Sequence, residues 1–126
     1  MRIAIADDDK EALGYALGVL ERAGHTCVGF PRGHAVVSAL KKETFDLLLL
    51  DWNMPGFSAI DVITWAKQNL KQVPRIIVLT SRDDEKDIVH ALDTGADDFI
   101  SKPGSEEVIR ARVAAALRRS QDDQRG

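Results

Sequence analysis

A chain of 126 residues, 44% hydrophobic and 29% charged, is long enough for one domain with a full core and too short for two comfortable ones. Its net charge of −3 gives no electrostatic reason for this segment to bind nucleic acid or an anionic membrane surface. The lone cysteine, Cys27, excludes an internal disulfide, and no stretch approaches the roughly 18 continuous apolar residues of a membrane span.

The start, MRIAIADDDK, does not read as a signal peptide, because three aspartates follow a very short apolar run. A reducing, cytoplasmic setting is expected. The first strand is expected at residues 3–6. A helix follows, with Leu13, Ala16, Leu17, Leu20 and Ala23 in one stripe and Gly24 as its stop. A weaker strand is expected at 27–30, then a helix over about 34–42 with Val36, Ala39 and Leu40 inward. The apolar run 45–50 is a strong strand candidate. Ser58 then reads as the N-cap of a helix with Val62, Ile63, Ala66 and Leu70 on one face. A strand at 76–79 leads into a helix over about 84–94, ended by Gly95. A short strand is expected at 98–101. The last helix begins at Ser105, whose Ser-Glu-Glu-Val reads as a cap with an acidic first turn, and runs to about Arg119. The polar SQDDQRG at 120–126 reads as a tail or the start of a linker, so the domain is expected over 1–119.

Strict alternation of strand and helix predicts a parallel sheet with helices on both faces and right-handed crossovers. Five such units match the flavodoxin-like doubly wound (βα)5 fold, strand order 2-1-3-4-5. Ligands of such sheets bind beyond the carboxyl ends of the strands, where the order reverses, here between the first and third strands. The first strand ends in Asp7, Asp8 and Asp9, and the third in Asp51. Crowded carboxylates repel unless a cation compensates. Oxygen ligands suit Mg²⁺, and Mn²⁺ could replace it, whereas the lack of histidine or cysteine at these strand ends argues against zinc. Aspartates after strands also serve simply as caps. That reading fits Asp9 best, and fits Asp8 with Asp51 least, because two strand ends deliver carboxylates to one cleft independently. The fourth strand adds Thr80 and the fifth Lys102, a hydroxyl and an ammonium that can bind anionic oxygens. Taken singly each is ordinary; together with the acids they suit phosphoryl chemistry.

The set IADDD, LLLLDWNMPG, VLTSRDDE, TGADDFI and SKP resembles the receiver domain of two-component response regulators, over about residues 1–119. The resemblance implies that Asp51 accepts a phosphoryl group from a phosphohistidine on a sensor kinase or phosphotransfer protein. It implies that Asp8 contacts the metal directly, Asp7 through water, and Asn53 through its backbone carbonyl. Thr80 and Lys102 are then expected to bind the phosphoryl oxygens, with Lys102 paired to Asp51 beforehand and a cis bond before Pro103. The chain is expected to be a regulatory domain that catalyses only its own phosphotransfer and dephosphorylation.

The resemblance further assigns the switch to Thr80 and Phe99, although Phe99 also fits plain core packing. Asp97, Asp98 and Arg112 resemble charged positions that the winged-helix transcription-factor branch uses to dimerise. The branch's ion pair between the fourth and fifth helices is replaced by Ile88 and Val108. Either a dimer keeps an apolar contact at those two positions or the chain does not use that interface; a phosphorylation-favoured dimer is the expectation. Ser58-Ala59 stands where the family usually has Asp-Gly, Ser81 where a small alanine is common, and Gly104 where phenylalanine is common. Ala59 is expected to alter the loop beside the acceptor. His25, His34 and His90 are scattered and read as structural or exposed. Two other readings stay open. One is a receiver-like binding domain that never takes phosphate, which could dispense with an acid, Thr80 or Lys102. The other is an aspartyl phosphohydrolase, which wants a second acid at position 53, where this chain has asparagine.

Overall fold

The computed structural model describes residues 1–81 and 85–125, with 120–125 as backbone. Arg82, Asp83 and Asp84, including the expected start of the fourth helix, lie outside the described residues, as does Gly126. The elements are β1 (Arg2–Ala6), α1 (Lys10–Arg22), β2 (Thr26–Phe30), α2 (Gly33–Leu40), β3 (Leu47–Asp51), α3 (Ala59–Asn69), β4 (Arg75–Thr80), α4 (Glu85–Thr94), β5 (Asp98–Ser101) and α5 (Glu106–Arg125). All pairings are parallel, in the order β2-β1-β3-β4-β5. The expected doubly wound fold is found.

The helix boundaries follow local chemistry. The Asp9 carboxylate accepts from the amides of Glu11 and Ala12, so this aspartate is an N-cap. Ser58 and Asp61 form a reciprocal capping box that starts α3, and the Ser105 hydroxyl accepts from the amide of Val108 to start α5. Gly24 and Gly95 sit at φ values of 95° and 136°, which glycine adopts without strain, and they end α1 and α4. α5 differs from expectation: it continues to Arg125, well past Arg119. Residues 118–125 contain no glycine or proline, so nothing local stops the helix there.

The core lies in two layers, set by the period of two along each strand. Ala4, Ala6, Leu48, Leu50, Ile76 and Val78 face α2, α3 and α4, where they meet Val36, Val62, Ile63 and Ala91. Ile3, Ile5, Leu47, Leu49, Ile77, Leu79 and Ile100 face α1 and α5, against Leu20, Ile109 and Val113. β3 is the centre of this arrangement. Each of its four leucines is fully buried, worth about 1.5–3 kcal/mol apiece against exposure. That run makes a rigid stalk, and Asp51 is its last residue rather than the first beyond it. Among the described residues, no helix is long and apolar enough to cross a membrane.

Candidate functional site

Sheet register decides which side chains meet at the carboxyl edge. Ala6 pairs with Leu50, so the next residues, Asp7 and Asp51, lie side by side. Asp51 pairs with Leu79 and Thr80 with Ser101, which places Thr80 and Lys102 at the same edge. The alternation of faces continues past the strand ends. Asp7, Asp51 and Lys102 keep the phase of Ile5, Leu49 and Ile100, on the α1/α5 side. Thr80 keeps the phase of Ile76 and Val78, on the α4 side.

The Lys102 ammonium bridges the two acids. Its Nζ lies 2.6 Å from Asp7 Oδ2 and 3.0 Å from Asp51 Oδ1. Asp7 is engaged at both oxygens, since Oδ1 accepts from the amide of Asp9 at 2.9 Å. Asp7 and Asp51 are both buried, whereas Asp8 is exposed. Burial raises the Asp51 carboxyl to about 6, Lys102 opposes the rise, and the neighbouring Asp7 and Asp8 add to it. Burial alone would lower the Lys102 ammonium, but its bonds to Asp7 and Asp51 hold it above the usual lysine range.

Ligand oxygens of Asp7, Asp8 and Asp51 lie within 4.8 Å of one another. An all-oxygen set of this kind fits a hard divalent cation such as Mg²⁺. A bound cation would offset the repulsion among these three acids. Asn53, exposed, lines one shallow cleft with Asp8, Trp52 and Met54, so its backbone borders the acid cluster. A second cleft of about 500 Å³ opens on the α1/α5 side, between Tyr15, Lys102, Pro103 and Ile109. Ser81 lies on its wall, and the Lys102–Pro103 bond is cis.

On the opposite face, Thr80 is buried and shares a small void with Trp52, Ile88, Ala91 and Phe99. Phe99 is half-buried and lines the same void as Ile88 and Ala91 of α4. The residues assigned to a dimer face sit differently from one another. Both Asp97 oxygens are engaged within the chain, by Arg75 and by the amide of Ile76. Asp98 takes both contacts from Arg112, at 3.1 Å each. Ile88 faces the void, while Val108 is exposed together with Val89 and Leu92.

The departures from the family pattern have local causes. A Cβ on Gly104 would lie 2.8 Å from Ile100 Cγ2 and 3.1 Å from Ile109 Cγ1, so a larger residue here would force these two isoleucines to shift. Ala59 is fully buried as the first residue of α3, in an ordinary helical conformation. Three contacts at the site had no signal in the sequence. Trp52 faces both the acid cleft and the void under Thr80, the Tyr15 hydroxyl donates to the Gly104 carbonyl, and the His34 ring packs on Phe57.

Fold and site together define a small doubly wound domain with an acidic edge whose three aspartates could hold a cation, a bridging lysine and a buried hydroxyl on a nearby strand. The chain belongs to the response regulator receiver domain family, which it matches over residues 3–114. It is 37% identical over 120 residues to the phosphate regulon transcriptional regulatory protein PhoB of Escherichia coli, covering 94% of this chain and 52% of that protein. It is 34% identical to the alkaline phosphatase synthesis transcriptional regulatory protein PhoP of Bacillus subtilis, covering 95% and 50%. The response regulator DrrB of Thermotoga maritima, an OmpR/PhoB homologue, superposes with a TM-score of 0.84 at 28% identity, over 94% of this chain and 53% of that one. The chain thus spans about half the length of the curated relatives it matches. As a receiver domain of two-component signalling it is a phosphorylation-dependent switch.

Proposed function

We propose that Asp51 is the phosphoacceptor and that a partner sensor kinase or phosphotransfer protein supplies the phosphoryl group from a phosphohistidine. The observation that carries this reading is the Lys102 bridge between two buried aspartates at the end of a fully buried strand. Such a carboxylate is held in one orientation, and the Lys102 and Asp7 that neighbour it line an open cleft. In the transfer, one Asp51 oxygen bonds to phosphorus as the bond from phosphorus to the donor imidazole nitrogen breaks. The electron pair stays with that nitrogen. Lys102 and the Thr80 hydroxyl would then bind the phosphoryl oxygens, and pairing an ammonium with an incoming phosphoryl group is charge-assisted.

Asp8 and Asp51 would hold Mg²⁺, with Mn²⁺ as a substitute, together with the Asn53 carbonyl. Asp7, its oxygens already engaged by Lys102 and the Asp9 amide, would reach the ion through water. When bound, the ion supplies charge neutralisation on the transferring group. Phosphorylation adds about two negative charges and three acceptor oxygens beside Thr80. Thr80 then moves toward the phosphoryl group, and Phe99 swings inward behind it. The α4–β5–α5 surface carries the change outward. Self-regulated dephosphorylation belongs to the same reading, as does a soluble, cytoplasmic setting.

A dimer formed through that surface would use the exposed Val108, Val89 and Leu92, while Asp98 and Arg112, paired within one chain here, would exchange partners between copies. The named relatives are transcriptional regulatory proteins, so the output is read as control of a transcriptional effector, with residues 1–119 as the receiver unit. Beryllofluoride with Mg²⁺ tests the switch. Amide and side-chain NMR shifts centred on Thr80 and Phe99 support it, and a spectrum unchanged there favours a domain that regulates by contact alone.

A further inference from the structure

The loop from Trp52 to Ser58 carries Asn53 past the acid cluster, and its hold on the rest of the fold is uneven. At one end the Trp52 amide donates to the Leu79 carbonyl at 2.7 Å, and Met54 is buried in the core. At the other end Ser58 is fixed by its capping box with Asp61. Between them Pro55 and Gly56 are exposed, and Gly56 turns at a φ of 83°. The remaining anchor is supplied by a distant element, the first turn of α2. Gly33 is buried, and a Cβ built on it would collide with the Phe57 carbonyl oxygen and lie 3.1 Å from Phe57 Cδ1. This glycine is required by close approach, not by its backbone angles. His34, the next residue, lays its ring over the Phe57 ring, with centroids 4.4 Å apart and planes 38° apart.

We infer that Gly33 and His34 form a clamp that positions the acceptor loop, so that His34 is a positioning residue for metal uptake at the acid cluster. Its ring is exposed, so it adds little to the core. Holding Phe57 fixes the loop at the far side of the Pro55-Gly56 turn, and Met54 fixes it on the near side. The Asn53 carbonyl is then delivered to one place rather than to several. Outer groups that orient metal ligands govern affinity for the ion in the same way. The effect on Mg²⁺ rests on the metal reading given above, while the clamp itself does not.

Two measurements on the full chain separate these. Amide hydrogen exchange compares the parent with His34→Ala and His34→Phe, following residues 53–57. Mg²⁺ titration follows Trp52 fluorescence in a Trp65→Phe background. In His34→Ala, exchange in the loop should speed up while the sheet is unchanged, and Mg²⁺ affinity should fall about tenfold, the lower end for loss of outer-shell support. His34→Phe should restore both, because the ring and not the imidazole nitrogens makes the contact. Unchanged loop exchange in His34→Ala overturns the clamp, with or without Mg²⁺. Faster exchange with unchanged Mg²⁺ affinity overturns the positioning role. A parent that takes up no Mg²⁺ removes the metal reading instead, and the exchange comparison alone then decides the clamp.

Discussion

Asp51 holds a charge that its surroundings resist. Its carboxyl is raised to about 6, by burial first, so the native chain keeps this proton at pH values where the unfolded chain has lost it. The sign follows from linkage: stability from the protonated group is complete below the ordinary carboxylate value and is lost as pH rises through about 6. In the metal-free chain this group should cost on the order of 1–2 kcal/mol of stability between about pH 4 and pH 6.5. Urea denaturation across that range should show the loss in the parent and a flatter profile in Asp51→Asn. Mg²⁺ requires the ionised carboxylate, so its affinity should climb with pH through about 6 and level off above, read by titration at several pH values. Lys102→Ala leaves two buried acids without their ammonium and should cost about 3 kcal/mol in the absence of Mg²⁺. Added Mg²⁺ should recover part of that loss, because a cation again offsets the acids. The four strand-end residues Asp7, Asp51, Thr80 and Lys102 were legible in the sequence, since a parallel sheet of known order fixes where strand ends lie. Double engagement of Asp7 was not legible, because it depends on how the loop after β5 folds back. Nor was the pairing of His34 with Phe57, two residues that no local period relates.

At the scale of the element, β3 bears the most weight. Leu48→Ala opens a cavity between the sheet and α2 and α3, and should cost about 3 kcal/mol by chemical denaturation. A cost well under 1 kcal/mol would contradict the burial of this strand. Most elements could be read from period and caps, as with the serine starts of α3 and α5 and the glycine stops of α1 and α4. β3 ends one residue later than its apolar run, because the ladder to β4 continues through Asp51. α5 runs on through the polar stretch that reads as a tail, because polarity alone does not end a helix and it contains no glycine or proline before Arg125. Asp97, which the resemblance assigns to a dimer face, ties the start of β4 to the turn before β5 within one chain.

Over the whole molecule, the two faces of the sheet divide the labour. The α1/α5 side presents Lys102, Asp7 and the open cleft, while the α4 side holds Thr80 over Phe99 and Ile88. If the α4–β5–α5 surface joins two copies, sedimentation should show a shift toward dimer with beryllofluoride and Mg²⁺. Val108→Glu should weaken that shift while leaving the NMR response at Thr80 intact, because Val108 is exposed and lines neither the acid clefts nor the void at Thr80. The measurement that bears most directly on the central claim is intact-mass and fragment analysis after incubation with a small phosphodonor and Mg²⁺. One added PO₃ unit, mapped to Asp51 and absent from Asp51→Asn, is the expected result. Equal labelling of Asp51→Asn, or a phosphoryl group mapped to another residue, would contradict it.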